Sequence, residues 1–149
     1  MAVILASSCL LGCECRYKGD GCKCDALIKL AESNTIIGVC PEQMGGLPTP
    51  RDPAERQGDK VISCAGKDVT KAYTKGAETA LYFAKLNHVD FAVMKAKSPS
   101  CGKGLIYDGT FTGNKIPGNG VTVELLNANG IPVFTEDELY QLPLLSETS

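Results

Sequence analysis

The residues of this chain best suited to chemistry are its thiols. There are eight cysteines in 149 residues, and one sits in a stretch that also carries a proton-transfer group: Cys40-Pro41-Glu42-Gln43-Met44-Gly45-Gly46. The apolar run Thr35-Ile36-Ile37-Gly38-Val39 ends at Cys40. Pro41 has no N–H to donate and stops strand pairing, and the two glycines let the backbone turn sharply. A thiolate is a soft metal ligand, and a carboxylate two residues on is an acid/base group. The plain alternative is a small buried cysteine beside a turn, with Glu42 capping that turn or pairing with Arg51.

The same arrangement recurs. Ala2-Val3-Ile4-Leu5-Ala6 is continuously apolar and leads to Cys9, and Phe91-Ala92-Val93-Met94 empties into Lys97-Ser98-Pro99-Ser100-Cys101-Gly102. Short, wholly apolar runs are the mark of strands buried on both faces. If the three strands are parallel neighbours, their carboxyl ends bring Cys9, Cys40 and Cys101 to one crevice, where ligands bind in such sheets. Three cysteines on separate loops match neither zinc-ribbon nor ferredoxin spacing. A fold can still converge them on a metal, and an iron–sulfur cluster with three cysteine ligands leaves one iron open for a substrate.

The intervening sequence reads as the scaffold such strands need. Asp25 to Glu32 forms a short helix with Ala26, Leu27, Leu30 and Ala31 on one face. Residues 46–59, with Pro48, Pro50 and Pro53, read as an extended loop, and Val61-Ile62 as a brief edge strand. Asp68 is the expected N-cap of a long helix from Val69 to Asn87, whose Tyr73, Ala77, Ala80, Leu81 and Ala84 make an apolar stripe. A hairpin is expected around Tyr107 to Phe111, and a helix over Val121 to Asn129 closed by Gly130. Ile131-Pro132-Val133-Phe134 reads as an edge strand, and Glu136 to Leu142 as a short helix. Strands alternating with helices predict an α/β fold, a single-domain Rossmann-like three-layer arrangement over 1–149 with a mainly parallel sheet and helices on both faces. Residues 143–149 read as a loose tail.

Composition narrows the class. A net charge of −2 gives no electrostatic footprint for nucleic acid. No stretch approaches the roughly 20 apolar residues of a membrane span. Met1 to Gly12 lacks the basic segment of a secretion signal. Leu10-Leu11-Gly12-Cys13 mimics a lipoprotein cleavage box, but cleavage there would remove the first core strand. The expected location is therefore the cytoplasm, where clustered thiols serve metals or catalysis more often than disulfides.

Three segments together carry a resemblance. Ser8-Cys9-Leu10-Leu11-Gly12 with Cys15-Arg16-Tyr17 is one; Cys40-Pro41-Glu42-Gln43 through Gly46-Leu47-Pro48-Thr49-Pro50-Arg51 is the second. The third joins Lys97-Ser98-Pro99-Ser100-Cys101-Gly102 to Ile106-Tyr107-Asp108-Gly109-Thr110-Phe111 and Pro117-Gly118-Asn119-Gly120-Val121-Thr122. In order and over nearly the whole chain, these resemble the small thiouracil desulfidase family. The resemblance implies a [4Fe-4S] cluster with three cysteine ligands, carried onto Cys9, Cys40 and Cys101, and one open iron. It implies non-redox removal of sulfur from a thiolated nucleobase, 2-thiouracil or 4-thiouracil giving uracil and hydrogen sulfide, with Glu42 and Ser100 as catalytic residues. Cys15 and Arg16 fall in the motif as substrate-binding candidates, and the chain would act as monomer or homodimer. One departure stands out: the family commonly has an aspartate after the Arg-Tyr pair, where this chain has Lys18.

Other features support a different reading. Cys13 with Cys15, and Cys22 with Cys24, form two C-x-C pairs, so the competing function is a non-enzymatic zinc-binding module. A thiol redox protein is disfavoured, because no C-x-x-C pair opens a helix. Cys64 reads as an inert thiol, and His88 as a structural residue at a helix end.

Overall fold

The computed structural model of the chain describes residues 1–143. Its apolar N-terminal run forms β1 (Val3–Ser7), which passes into a 3₁₀ turn, Ser8–Leu11. There follow α1 (Asp25–Lys29), extended by a 3₁₀ turn at Leu30–Glu32, then β2 (Thr35–Val39) and the one-turn helix α2 (Pro41–Met44). The hairpin β3 (Ala54–Gln57) and β4 (Lys60–Ser63) precedes the long helix α3 (Thr70–Leu86) and strand β5 (Phe91–Met94). A second hairpin, β6 (Leu105–Tyr107) and β7 (Lys115–Pro117), leads to α4 (Val121–Ala128), β8 (Val133–Thr135) and the 3₁₀ segment Glu136–Gln141.

The central sheet has the order β2-β1-β5-β8, all parallel. Ile4 pairs with Ile36 on one side and Phe91 on the other, and Val93 with Phe134. Side chains alternate across the pleat, so each strand feeds two cores. Ile4, Ala6, Phe91 and Val93 pack with Leu10 and Leu27 on one face. Leu5, Ala92 and Met94 pack with Ala80, Ala84, Val123 and Leu126 of α3 and α4 on the other. These are the expected helices on both faces. The chain leaves β1 for β2 on one flank and returns to β5 on the other, so the winding reverses at β1. The cleft beyond its carboxyl end is where such sheets bind ligands.

Local readings shift where tertiary contacts overrule them. The Cys40–Gly46 stretch turns through α2, with Pro41 at its first helical position, where a missing N–H costs nothing. Residues 46–59 contain β3, whose Glu55 and Arg56 pair with Ile62 and Val61. An isolated hairpin partner leaves no apolar signature. Asp68 stands one residue before the N-cap, Val69, and its Oδ1 accepts from the Thr70 N–H at 2.9 Å. The second hairpin pairs Leu105–Tyr107 with Lys115–Pro117, so the expected Phe111 lies at its tip. β8 begins after Pro132 and does occupy a sheet edge. The tail expected over 143–149 lies, apart from Pro143, outside the described residues. No helix among those residues is long and apolar enough to cross a membrane.

Candidate metal centre

Each strand-end cysteine is placed by a different local device. Cys9 lies inside the 3₁₀ turn that β1 enters, Cys40 is the N-cap of α2, and Cys101 follows β5 in a loop ordered by Ser98. The Ser98 hydroxyl oxygen accepts the N–H groups of Ser100 (3.1 Å) and Cys101 (3.0 Å). The three strands are immediate neighbours and parallel, so Cys9, Cys40 and Cys101 reach one cavity of ≈550 Å³. Cys9 and Cys101 are buried and Cys40 is half-buried.

Cys15 joins them. It is buried, lines the same cavity, and its thiol hydrogen-bonds with those of Cys40 and Cys9. Its hydrogen bond with Cys40 acts to lower its pKa, but Cys9 and burial outweigh that and push the thiol up to about 11. The Cys15 hydrogen bond and burial push the Cys40 thiol up, and burial pushes Cys101 up to about 12. Burial and the neighbouring thiols thus favour the protonated sulfurs over the thiolates.

Glu42 opens onto the same cavity from the first turn of α2. Arg51 donates to its Oε2 and the Tyr73 hydroxyl donates to its Oε1. Arg51 reaches further: Nη2 donates to the Cys15 carbonyl at 2.9 Å, and Nη1 to Pro48 O and Thr49 Oγ1. Glu42 therefore pairs with Arg51 and faces the cavity at once, so the two readings of this residue from sequence are not exclusive. Burial acts to lower the Arg51 pKa, and the Glu42 carboxylate more than reverses it. Burial and the same carboxylate push the Tyr73 phenol well above its usual range.

Arg16 lines the cavity and forms an ion pair with Asp20 at 3.7 Å. Lys18, the departure from the family pattern, stands with its ammonium 5.7 Å from the centre of the Tyr17 ring. Ser100 is placed differently from the other candidates. It is buried and absent from the cavity wall; its hydroxyl meets Thr122 Oγ1 at 2.8 Å and the Cys101 thiol. Ser98 lines the cavity instead. Arg51, read from sequence only as a possible partner of Glu42, and Tyr73, read only as part of an apolar stripe, are both parts of the site. Arg51 closes a family-like motif, and a tyrosine inside a core stripe needs a partner for its hydroxyl, so each carried a signal.

Among the described residues no three His, Cys, Asp or Glu side chains are arranged to hold a single metal ion. The C-x-C pairs thus form no such zinc site: Cys13 is exposed, and Cys22 and Cys24 are half-buried. The donor set does fit an iron–sulfur cluster. Cluster cysteines each ligate a different iron, so they need to surround a common volume rather than meet at one point. Buried thiols on one cavity wall, with the cations Arg16, Arg51 and Lys95 beside them, meet that requirement.

Fold and site define a class: a parallel α/β protein with a thiol-lined cavity and a clamped carboxylate at the reversal point of its sheet. The sequence profile of the 2-thiouracil desulfurase family matches residues 4–138. The solved structure of the [4Fe-4S]-dependent thiouracil desulfidase TudS superposes with a TM-score of 0.93 at 43% identity, covering 100% of both chains. Uncharacterized protein YbbK of Bacillus subtilis (strain 168) is 43% identical over 147 residues, 92% of this chain and 97% of that protein. The chain belongs to the 2-thiouracil desulfurase family, a family of enzymes.

Proposed function

We propose that this enzyme removes sulfur from a thiolated pyrimidine base, 2-thiouracil or 4-thiouracil, by hydrolysis without net redox change, yielding uracil and hydrogen sulfide. One observation carries the reading: Cys9, Cys40, Cys101 and the clamped Glu42 all open onto one cavity. Similarity to TudS over the full chain supports a [4Fe-4S] cofactor and a small-molecule substrate. Cys9, Cys40 and Cys101 would hold the cluster. When bound, it supplies an open iron acting as a Lewis acid toward soft sulfur.

The chain's own residues do the rest. Glu42 accepts a proton from the attacking water through its cavity-facing carboxylate. Arg51 and Tyr73 each take one of its oxygens, so the group is held in one orientation. Held groups react faster because their ordering is complete before substrate arrives. Arg16 stands at the cavity wall to orient the base, and Cys15 lines the same cavity, where it would contact the substrate. Ser100 acts on the Cys101 thiol, and Glu42 takes the water proton directly.

The test is anaerobic reconstitution with iron and sulfide, iron counting, then incubation with each thiouracil while uracil and sulfide are measured. Four irons per chain and stoichiometric release of both products are expected. Tight zinc without iron uptake would transfer the assignment to the metal-binding module.

A further inference from the structure

The hairpin tip presents a strained aromatic residue to the cavity. Phe111 has φ of +59°, in the left-handed region where bulky side chains are disfavoured. Gly109 and Gly113 on either side have φ of +94° and +84°, so this loop uses glycine where the backbone alone matters. Phe111 breaks that pattern. It is 37% exposed and lines the cavity, so its ring is not placed there to fill the core.

The strained conformation is held from outside the loop. Glu55 Oε1 on β3 accepts the Gly109 N–H at 3.0 Å and the Phe111 N–H at 3.2 Å. Gln57 donates to the Gly109 carbonyl at 2.9 Å. Gly109 presses so close to β3 that a Cβ there would lie 2.9 Å from the Arg56 carbonyl oxygen. Within the tip, Asp108 Oδ1 accepts from the Thr110 N–H at 2.9 Å. A residue held against its preference by surrounding contacts, at a cavity, is the pattern of a ligand-binding position.

The other aromatic walls are engaged. The Tyr73 hydroxyl is committed to Glu42, while Lys18 and Lys115 stand 5.7 and 5.3 Å from the ring centres of Tyr17 and Tyr107. No ring or cation contact occupies Phe111 among the described residues. We propose that Phe111 is the ring-binding residue of the cavity, offering its phenyl face to the flat heteroaromatic ring of the substrate. This rests on the thio-nucleobase reading of the same site, and it assigns the substrate ring, rather than its sulfur, to the hairpin tip. Every pyrimidine has a π-face, so the contact selects flat rings and not a particular ring position.

The experiment compares Phe111→Gly, Phe111→Leu and Phe111→Tyr in reconstituted enzyme, measuring the melting temperature, uracil affinity by calorimetry, and KM and kcat separately. Phe111→Gly releases the backbone strain, so its melting temperature should hold or rise. Its uracil affinity should fall about 5- to 150-fold, the range of one base–aromatic stack. The loss should appear more in KM than in kcat. Phe111→Tyr should bind within a few-fold of the parent, and Phe111→Leu should be impaired. Unchanged uracil affinity in Phe111→Gly would overturn the proposal, as would a fall in its melting temperature, which would make the ring a packing element. If the parent binds uracil through Phe111 yet releases no sulfide from either thiouracil, the ring site stands and the desulfidase reading fails.

Discussion

Gly76 of α3 lies against the carbonyl of Pro41 so closely that a Cβ built on it would sit 1.8 Å from that oxygen. Gly45 makes the reciprocal approach, with a Cβ position 1.9 Å from the Ala72 carbonyl oxygen. These two contacts set α2 directly on α3, and with it the separation between Glu42 and Tyr73.

Gly76→Ala tests that seating. An alanine inside a helix is favoured over glycine by about 1 kcal/mol. The clash is with rigid backbone, and overpacking of this kind costs roughly 1–3 kcal/mol or more. The clash should win, with net loss of stability in denaturant melts. Turnover should fall as well, because a displacement near 1 Å of a reacting group is worth about 100-fold. A variant as stable and active as the parent would mean that α2 shifts without consequence.

Glu42→Gln keeps the shape of the side chain and removes the base. Iron content should stay at the parent value while turnover drops by about 10²- to 10⁴-fold, the usual contribution of one proton-transfer group. Normal turnover would reduce Glu42 to a partner for Arg51. Arg51→Lys should also impair turnover, since one ammonium cannot reproduce the planar fork that spans Glu42 and the Cys15 carbonyl.

The cysteines should sort by position. Cys9→Ala, Cys40→Ala and Cys101→Ala should each abolish iron retention and activity. Cys13→Ala, Cys15→Ala, Cys22→Ala and Cys24→Ala should retain iron, with Cys15→Ala changing substrate affinity. Iron counting after anaerobic gel filtration separates the two groups. Retention of iron by a chain lacking all three strand-end thiols would refute the ligand assignment.

The C-terminal 3₁₀ segment carries an acid-sensitive contact. Glu138 accepts the Thr135 N–H at 2.9 Å and pairs with Lys103 at 2.9 Å, closing a capping box with Thr135. Partial burial pulls its carboxyl up, but the Thr135 N–H and the Lys103 ammonium together hold it below its ordinary value of 4.5. A carboxylate depressed in the folded state stabilises above its unfolded value, and that contribution vanishes as pH falls through the folded one. Glu138→Gln keeps a capping residue but loses the charge that pairs with Lys103, so it should cost up to about 1 kcal/mol at neutral pH and flatten the decline in stability below pH 4.5. Parallel pH profiles for parent and variant would show the contact to be inert.

The sequence alone determined what periodicity and chain connection can encode. Apolar runs within Val3–Ser7 and Phe91–Met94 mark strands covered on both sides, because only burial on both faces removes the need for polar alternation, whereas β2 (Thr35–Val39) carries a similar run at a sheet edge and leaves Thr35 and Gly38 exposed. Pro132 placed the last strand at an edge for want of an N–H to share. The stripe on α3 included Tyr73 and Ala80 because a helix repeats its face every 3.6 residues. Only the tertiary structure decided that β1, β2 and β5 are neighbours, which is what turns three distant thiols into one wall. It also decided that Tyr73 and Arg51 clamp Glu42, that Ser100 turns toward Thr122, and that Phe111 faces the cavity. Local sequence sets most of the elements and which side of each is apolar, β3 excepted. The direction of a hydroxyl, a guanidinium or a ring at a site is set by contacts between segments dozens of residues apart, and those exist only once the sheet has assembled.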